Sequence, residues 1–152
     1  MFKKIASLFS PKETPTTEIE ALDNKIAVAA LLVEAARIDE AYTDEEKQII
    51  DRALASKFDL TPDAASALRT KGEEAQSNAV DIHRFSKIAK QMPMDEKIDL
   101  LEAMWTIVLS DGERDTYEDT LIRRICGLIY VDDRASGEAR QRVEAALKKS
   151  GE

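Results

Sequence analysis

The chain has 152 residues, 43% hydrophobic and 34% charged, which suits a single soluble domain with a sizeable core. The net charge of −8 is uneven: residues 13–120 hold 25 acids and 12 bases, a balance of −13, whereas the two ends hold 5 acids and 10 bases. Such a middle repels phosphate backbones, so nucleic acid is excluded as the expected partner and cations are favoured.

The first ten residues, MFKKIASLFS, carry too short an apolar segment for a secretory leader. They read as a short amphipathic helix with Phe2, Ile5, Leu8 and Phe9 on one side, docked on its own domain or touching a membrane surface or protein partner weakly. SPKETPTTE, residues 10–18, reads as a linker. The expected division is therefore residues 1–16 as helix and linker, and 17–150 as the helical body. No run approaches the ~18–20 apolar residues of a membrane span.

A long helix is expected from about Glu18 to Ile38. Every residue from Ala27 to Val33 is apolar, which marks a segment surrounded by protein. Thr43 starts a second helix with Ile49, Ile50, Leu54 and Phe58 facing in. Thr61-Pro62 starts a third, an N-cap followed by proline in the first turn, that runs to about Asn78. A shorter helix is expected from Asp81 to about Gln91, stopped by Pro93. Its His83, the single histidine, reads as a half-buried, hydrogen-bonded structural residue.

A second heavily apolar helix spans Met94 to Ser110, and Trp105 and the methionines 92, 94 and 104 read as core or edge packing rather than a ligand box. Helices from Asp115 to about Ile129 and from about Asp133 to Lys149 complete the chain. The single cysteine, Cys126, rules out an intramolecular disulfide. Inside the apolar run IRRICGLI it reads as a buried reduced thiol of a cytoplasmic protein. The expected fold is an all-α bundle of seven to eight helices, with two buried central helices and an internal pseudo-twofold repeat.

That repeat is visible when residues 33–50, VEAARIDEAYTDEEKQII, are laid on 105–122, WTIVLSDGERDTYEDTLI, with a shift of 72 (111 − 39). Asp39 meets Asp111, Glu46 meets Glu118 and Ile50 meets Ile122. The two glutamates have an ordinary use, because Thr43-x-x-Glu46 and Asp115-x-x-Glu118 have capping-box spacing. Asp39 and Asp111 lack one. Each follows an apolar helix, where the macrodipole disfavours a carboxylate. Further acids crowd around each, and hard divalent cations take such clustered carboxylate and carbonyl oxygens. The alternative is a solvated acidic surface paired with Arg37, Arg114, Arg123 and Arg124. Neither turn is an EF-hand, since DGERDTYEDTLI has glycine second rather than sixth. No nucleophile–His–acid set or phosphate-cradling glycine loop argues for catalysis.

With these residues in view, AVAALLVEAARIDEAYTDEEKQII (27–50) and LLEAMWTIVLSDGERDTYEDTLIRRI (100–125) resemble the TerB-like tellurite-resistance domain. The resemblance covers roughly residues 20–130. It implies an all-helical cytoplasmic bacterial domain with internal twofold character, linked to tellurite or other stress and without established enzymatic activity. It also implies a metal site drawn from Asp39, Glu46, Asp111 and Glu118, with Ca, Mn, Mg or Zn as possible ions. Ile38-Asp39-Glu40 departs from the Ala-Asp-Gly expected at that turn. If the turn needs a positive φ after the aspartate, Glu40 is strained where Gly112 is not. A protein-interaction module, using the acidic face and the amphipathic first helix, is the other function these features allow.

Overall fold

The computed structural model describes residues 13–37, 42–79, 83–110 and 116–150, with the backbone alone for 13–23, 116–119 and 150. The described residues form seven helices: α1 Glu13–Ala36, α2 Asp44–Phe58, α3 Pro62–Asn78, α4 His83–Ala89, α5 Met94–Ser110, α6 Thr116–Ile129 and α7 Asp133–Ser150. The fold is all-α, and no strand occurs among the described residues.

Two boundaries differ from expectation. α1 begins at Glu13, so residues 13–17, read as linker, are helical. Pro15 lies in its first turn, where backbone N–H groups have no intrahelical acceptor and a proline removes nothing. α4 is shorter than expected and ends at Ala89. The chain then tightens through Gln91 N–H to Ile88 C=O and Met92 N–H to Ala89 C=O bonds, both 3.0 Å, because Pro93 keeps Met92 out of helical conformation. The proposed helix at 1–9 lies outside the described residues.

The uniform apolarity of Ala27 to Val33 has its explanation in burial: all seven are at most 1% exposed. α1 touches α2, α3, α4, α5 and α6. A helix packed on several sides needs apolar residues on several faces. Leu100, Leu101, Met104, Ile107 and Val108 of α5 join the same core, with Ile50 and Leu54 from α2 and Ile122, Ile125 and Ile129 from α6. α1 and α3 come unusually close at Gly72, where an added Cβ would lie 2.6 Å from the Ala29 Cβ and 2.9 Å from its backbone carbon.

The described starts of α2 and α6 fall 72 residues apart (116 − 44), the offset of the sequence repeat, whereas the helices before them end 74 residues apart (110 − 36). α2 closes with Asp59 at φ 55° and α6 with Tyr130 at φ 63°. Behind each, an N–H reaches back five residues, Leu60 to Ala55 C=O at 3.0 Å and Val131 to Cys126 C=O at 2.9 Å. Both are Schellman closures made without the customary glycine. The third helices differ. α3 runs parallel to α1, with Gly72 at Ala29 and Gln76 at Glu34. α7 runs against α5, with Ser136 at Trp105 and Arg142 at Glu102.

Candidate functional site

The first acidic turn joins α1 to α2, and its described part is built around Thr43. The Thr43 N–H donates to Glu46 Oε1 at 2.9 Å, and the Glu46 N–H donates to Thr43 Oγ1 at 3.1 Å, which completes the capping box. Glu46 is 6% exposed, so its carboxylate closes the helix from inside the protein. Tyr42, the residue before the cap, lies against Lys47 four positions into α2, with the ammonium 5.1 Å from its ring centroid. That places it where a hydrophobic staple would sit, with a cation–π contact in place of the usual apolar pair. The Arg37 guanidinium stands 5.0 Å from the same ring.

A charged network ties this turn to α3. Tyr42 donates its hydroxyl to Glu73 Oε2 at 2.6 Å, and Arg69 Nη1 donates to that oxygen at 2.7 Å. Arg69 Nε reaches Asp51 Oδ1 at 2.6 Å. Arg37 Nη1 donates to Gln76 Oε1 at 2.6 Å and to Ser77 Oγ at 2.8 Å, while Gln76 Nε2 donates to Glu34 Oε1 at 2.8 Å. Burial pushes the Tyr42 phenol well above its ordinary range, reinforced by the bond to Glu73 and its negative charge. Burial also disfavours the Glu73 carboxylate, yet hydrogen bonds from Tyr42 and Arg69 and the charges of Arg69 and Lys47 hold it below its ordinary value. Burial works against the Arg69 charge as well, and bonds to Asp51 and Glu73 more than restore it.

Of the four residues assigned to a metal, the structure describes one side chain. Glu46 lies at the third position of α2, in the capping box. Glu118 lies in α6, 72 residues after Glu46, with its side chain outside the described residues, where Asp39 and Asp111 also lie. Among the described residues, no three His, Cys, Asp or Glu side chains gather closely enough to hold a metal ion. His83 is exposed rather than half-buried, since it opens α4 while Phe85 and Ala89 turn inward. Cys126 is buried and free as expected, and burial raises its thiol above the ordinary value, against a hydrogen bond from Ser136. Sequence reading missed Tyr42, Asp51, Arg69 and Glu73. The i,i+4 spacing of Arg69 and Glu73 was the available signal.

Among the described residues no helix is long and apolar enough to cross a membrane. No curated protein and no solved structure matches the chain significantly. The family model described as tellurite resistance protein TerB matches residues 25–141, from the core of α1 into the middle of α7. The matched segment takes in both acidic turns and the whole Tyr42–Glu73–Arg69 network, and the chain belongs to the TerB family.

Proposed function

We propose that this chain is a non-enzymatic TerB-family domain of the bacterial cytoplasm that binds a divalent cation at its acidic turns, in a tellurite or stress-response context. The observation that carries this reading is the recurrence, 72 residues apart, of an apolar helix, an acidic turn and a helix carrying Glu46 or Glu118. The recurrence also supports an internal repeat confined to the helix–turn–helix units. Asp39 and Asp111 are the principal ligands. Glu46, with Oε1 committed to the Thr43 amide, contributes less, and Glu118 stands at its counterpart. Arg37, the nearest counter-charge to Asp39 in sequence, directs Nη1 to Gln76 and Ser77 of α3. Calorimetric titration of the full chain with Ca²⁺, Mn²⁺, Mg²⁺ and Zn²⁺ tests this. Saturable heat that disappears in Asp39→Ala/Asp111→Ala is expected; no heat with any ion, or undiminished heat in the variant, overturns it.

A second reading, a protein-interaction module, is favoured by a groove of about 580 Å³ between α1, α2, α5 and α7. Val28, Leu32, Ala103 and Val143 form its apolar floor, and Asp99 and Arg142 stand at its charged rim. A pull-down whose partner is lost on Ala103→Arg but retained in Asp39→Ala/Asp111→Ala would favour this reading over the first.

A further inference from the structure

The groove of about 580 Å³ between α1, α2, α5 and α7 has a floor of Val28, Leu32 and Leu100 and walls that include Ala53, Ala103 and Leu147. These three wall residues pack on the core yet stay partly exposed. The basic groups at its rim are committed. Arg142 Nε donates to Glu102 Oε2 at 2.7 Å, and Lys57 Nζ donates to the Glu96 carbonyl at 3.3 Å. Asp99, also at the rim, has no hydrogen bond or ion pair among the described residues.

The segment ahead of α1 has matching chemistry. Phe2, Ile5, Leu8 and Phe9 recur at spacings of three and four, the pattern by which a helix enters an apolar groove. Residues 1–12 carry Lys3, Lys4 and Lys12 and no acid, a charge of +3, which leaves −11 (−8 − 3) on the rest of the chain. That balance counts every residue, so segment and body attract whichever side chains stand closest.

The segment is also long enough. Lys25 Nζ lies 5.7 Å from the Phe58 ring centroid, which sets the end of α2, and with it one mouth of the groove, beside Lys25. The helical path from Glu13 to Lys25 is about 18 Å at 1.5 Å per residue. Residues 10–12, extended, cover about 10 Å, and a nine-residue helix adds about 13 Å. Folded back along α1, residues 1–9 therefore pass Lys25 and reach Val28. A ligand on so short a tether faces its groove at about millimolar effective concentration.

We propose that residues 1–9 fold back as an amphipathic helix and occupy this groove in the same chain, with Phe2, Ile5 and Phe9 on its floor and Lys4 at the rim near Asp99. The proposal rests on the interaction-module reading of the groove and adds that the chain supplies its own occupant, which an outside partner must displace.

The test is proximity cross-linking of the full-length purified protein in a Cys126→Ala background, since that residue is the single native cysteine. Ala6→Cys puts a thiol on the flank of the segment, and Ser56→Cys puts one on the exposed rim of the groove. Lys87→Cys, on the exposed face of α4 and outside the groove, is the control. A short bismaleimide should join positions 6 and 56 about tenfold faster than 6 and 87, in a product of single-chain mass. Ile5→Asp/Phe9→Asp should bring that rate down to the control, and Asp99→Lys should slow it. Ile5→Asp/Phe9→Asp should also lower the melting temperature by about 2–4 °C in the natural chain, but not in Ala103→Arg, whose groove is blocked. Equal rates for the two pairs, or a fast rate undiminished by Ile5→Asp/Phe9→Asp, overturns the proposal. So does a product of two-chain mass, which assigns the groove to the segment of a second copy. No partner is present in this measurement, so its failure leaves the pull-down reading standing, and a failed pull-down leaves the cross-link standing.

Discussion

Glu73 receives both the Tyr42 hydroxyl and Arg69, and these bonds favour its charged form. Its carboxyl therefore stays ionised in the folded protein at pH values where the unfolded chain, titrating near 4.5, has begun to take up a proton. The resulting stability is present above that ordinary value and is lost as pH falls through it towards the lower folded value. Denaturant unfolding between pH 3 and 7 should show a shallower acid-side loss for Glu73→Gln than for the natural chain. Tyr130 supplies a second single-residue effect. A bulky side chain at φ 63° is strained by about 1–2 kcal/mol, and 69% exposure means the ring contributes little burial in return. Tyr130→Gly forfeits a cation–π contact with Lys90, 4.9 Å from the ring centroid, worth about 0.5–1 kcal/mol. A net stabilisation of up to about 1 kcal/mol is expected, read as a melting temperature higher by about 2–4 °C.

Among the elements, the contact between α1 and α3 decides the most. Alanine normally improves a helix interior over glycine by about 1 kcal/mol. At Gly72 the new methyl would press on Ala29, including its backbone, and such overpacking costs about 1–3 kcal/mol. Gly72→Ala should therefore destabilise despite its better propensity, and chemical denaturation gives the sign directly. The start of α2 was legible in sequence because Thr43-x-x-Glu46 needs only three residues to satisfy its own donors. The start of α1 was not, since Ser, Pro and Thr at 10–18 suit a linker as well as a first helical turn. The Schellman closures at Asp59 and Tyr130 escaped notice because neither carries glycine.

For the molecule as a whole, a cation that binds the folded chain alone must stabilise it by mass action. At a hundred times its dissociation constant the gain is about 2.7 kcal/mol. For a chain of this length that corresponds to about 5–10 °C in melting temperature. The ion that gives calorimetric heat should produce this shift, and Asp39→Ala/Asp111→Ala should abolish it. The offset in charge between the acidic middle and the basic ends favours the same class of ligand, because the field of residues 13–120 attracts cations over distances set by ionic strength.

The sequence by itself determined the all-α class, six of the seven helices to within a few residues, the capping of α2 and α3, and the burial of Cys126 and the Ala27–Val33 segment. These are local or periodic properties, written into short windows by capping chemistry and hydrophobic spacing. It also carried the family, because the repeated acidic turns are linear motifs. Only the tertiary structure decided that Tyr42, Asp51, Arg69 and Glu73 form one network, that Gly72 lies against Ala29 with no room for a side chain, and that Arg123 and Arg140 share a pocket with Trp105. Each of these joins residues from different helices, and no local spacing encodes which faces α1, α3, α5 and α7 present to one another.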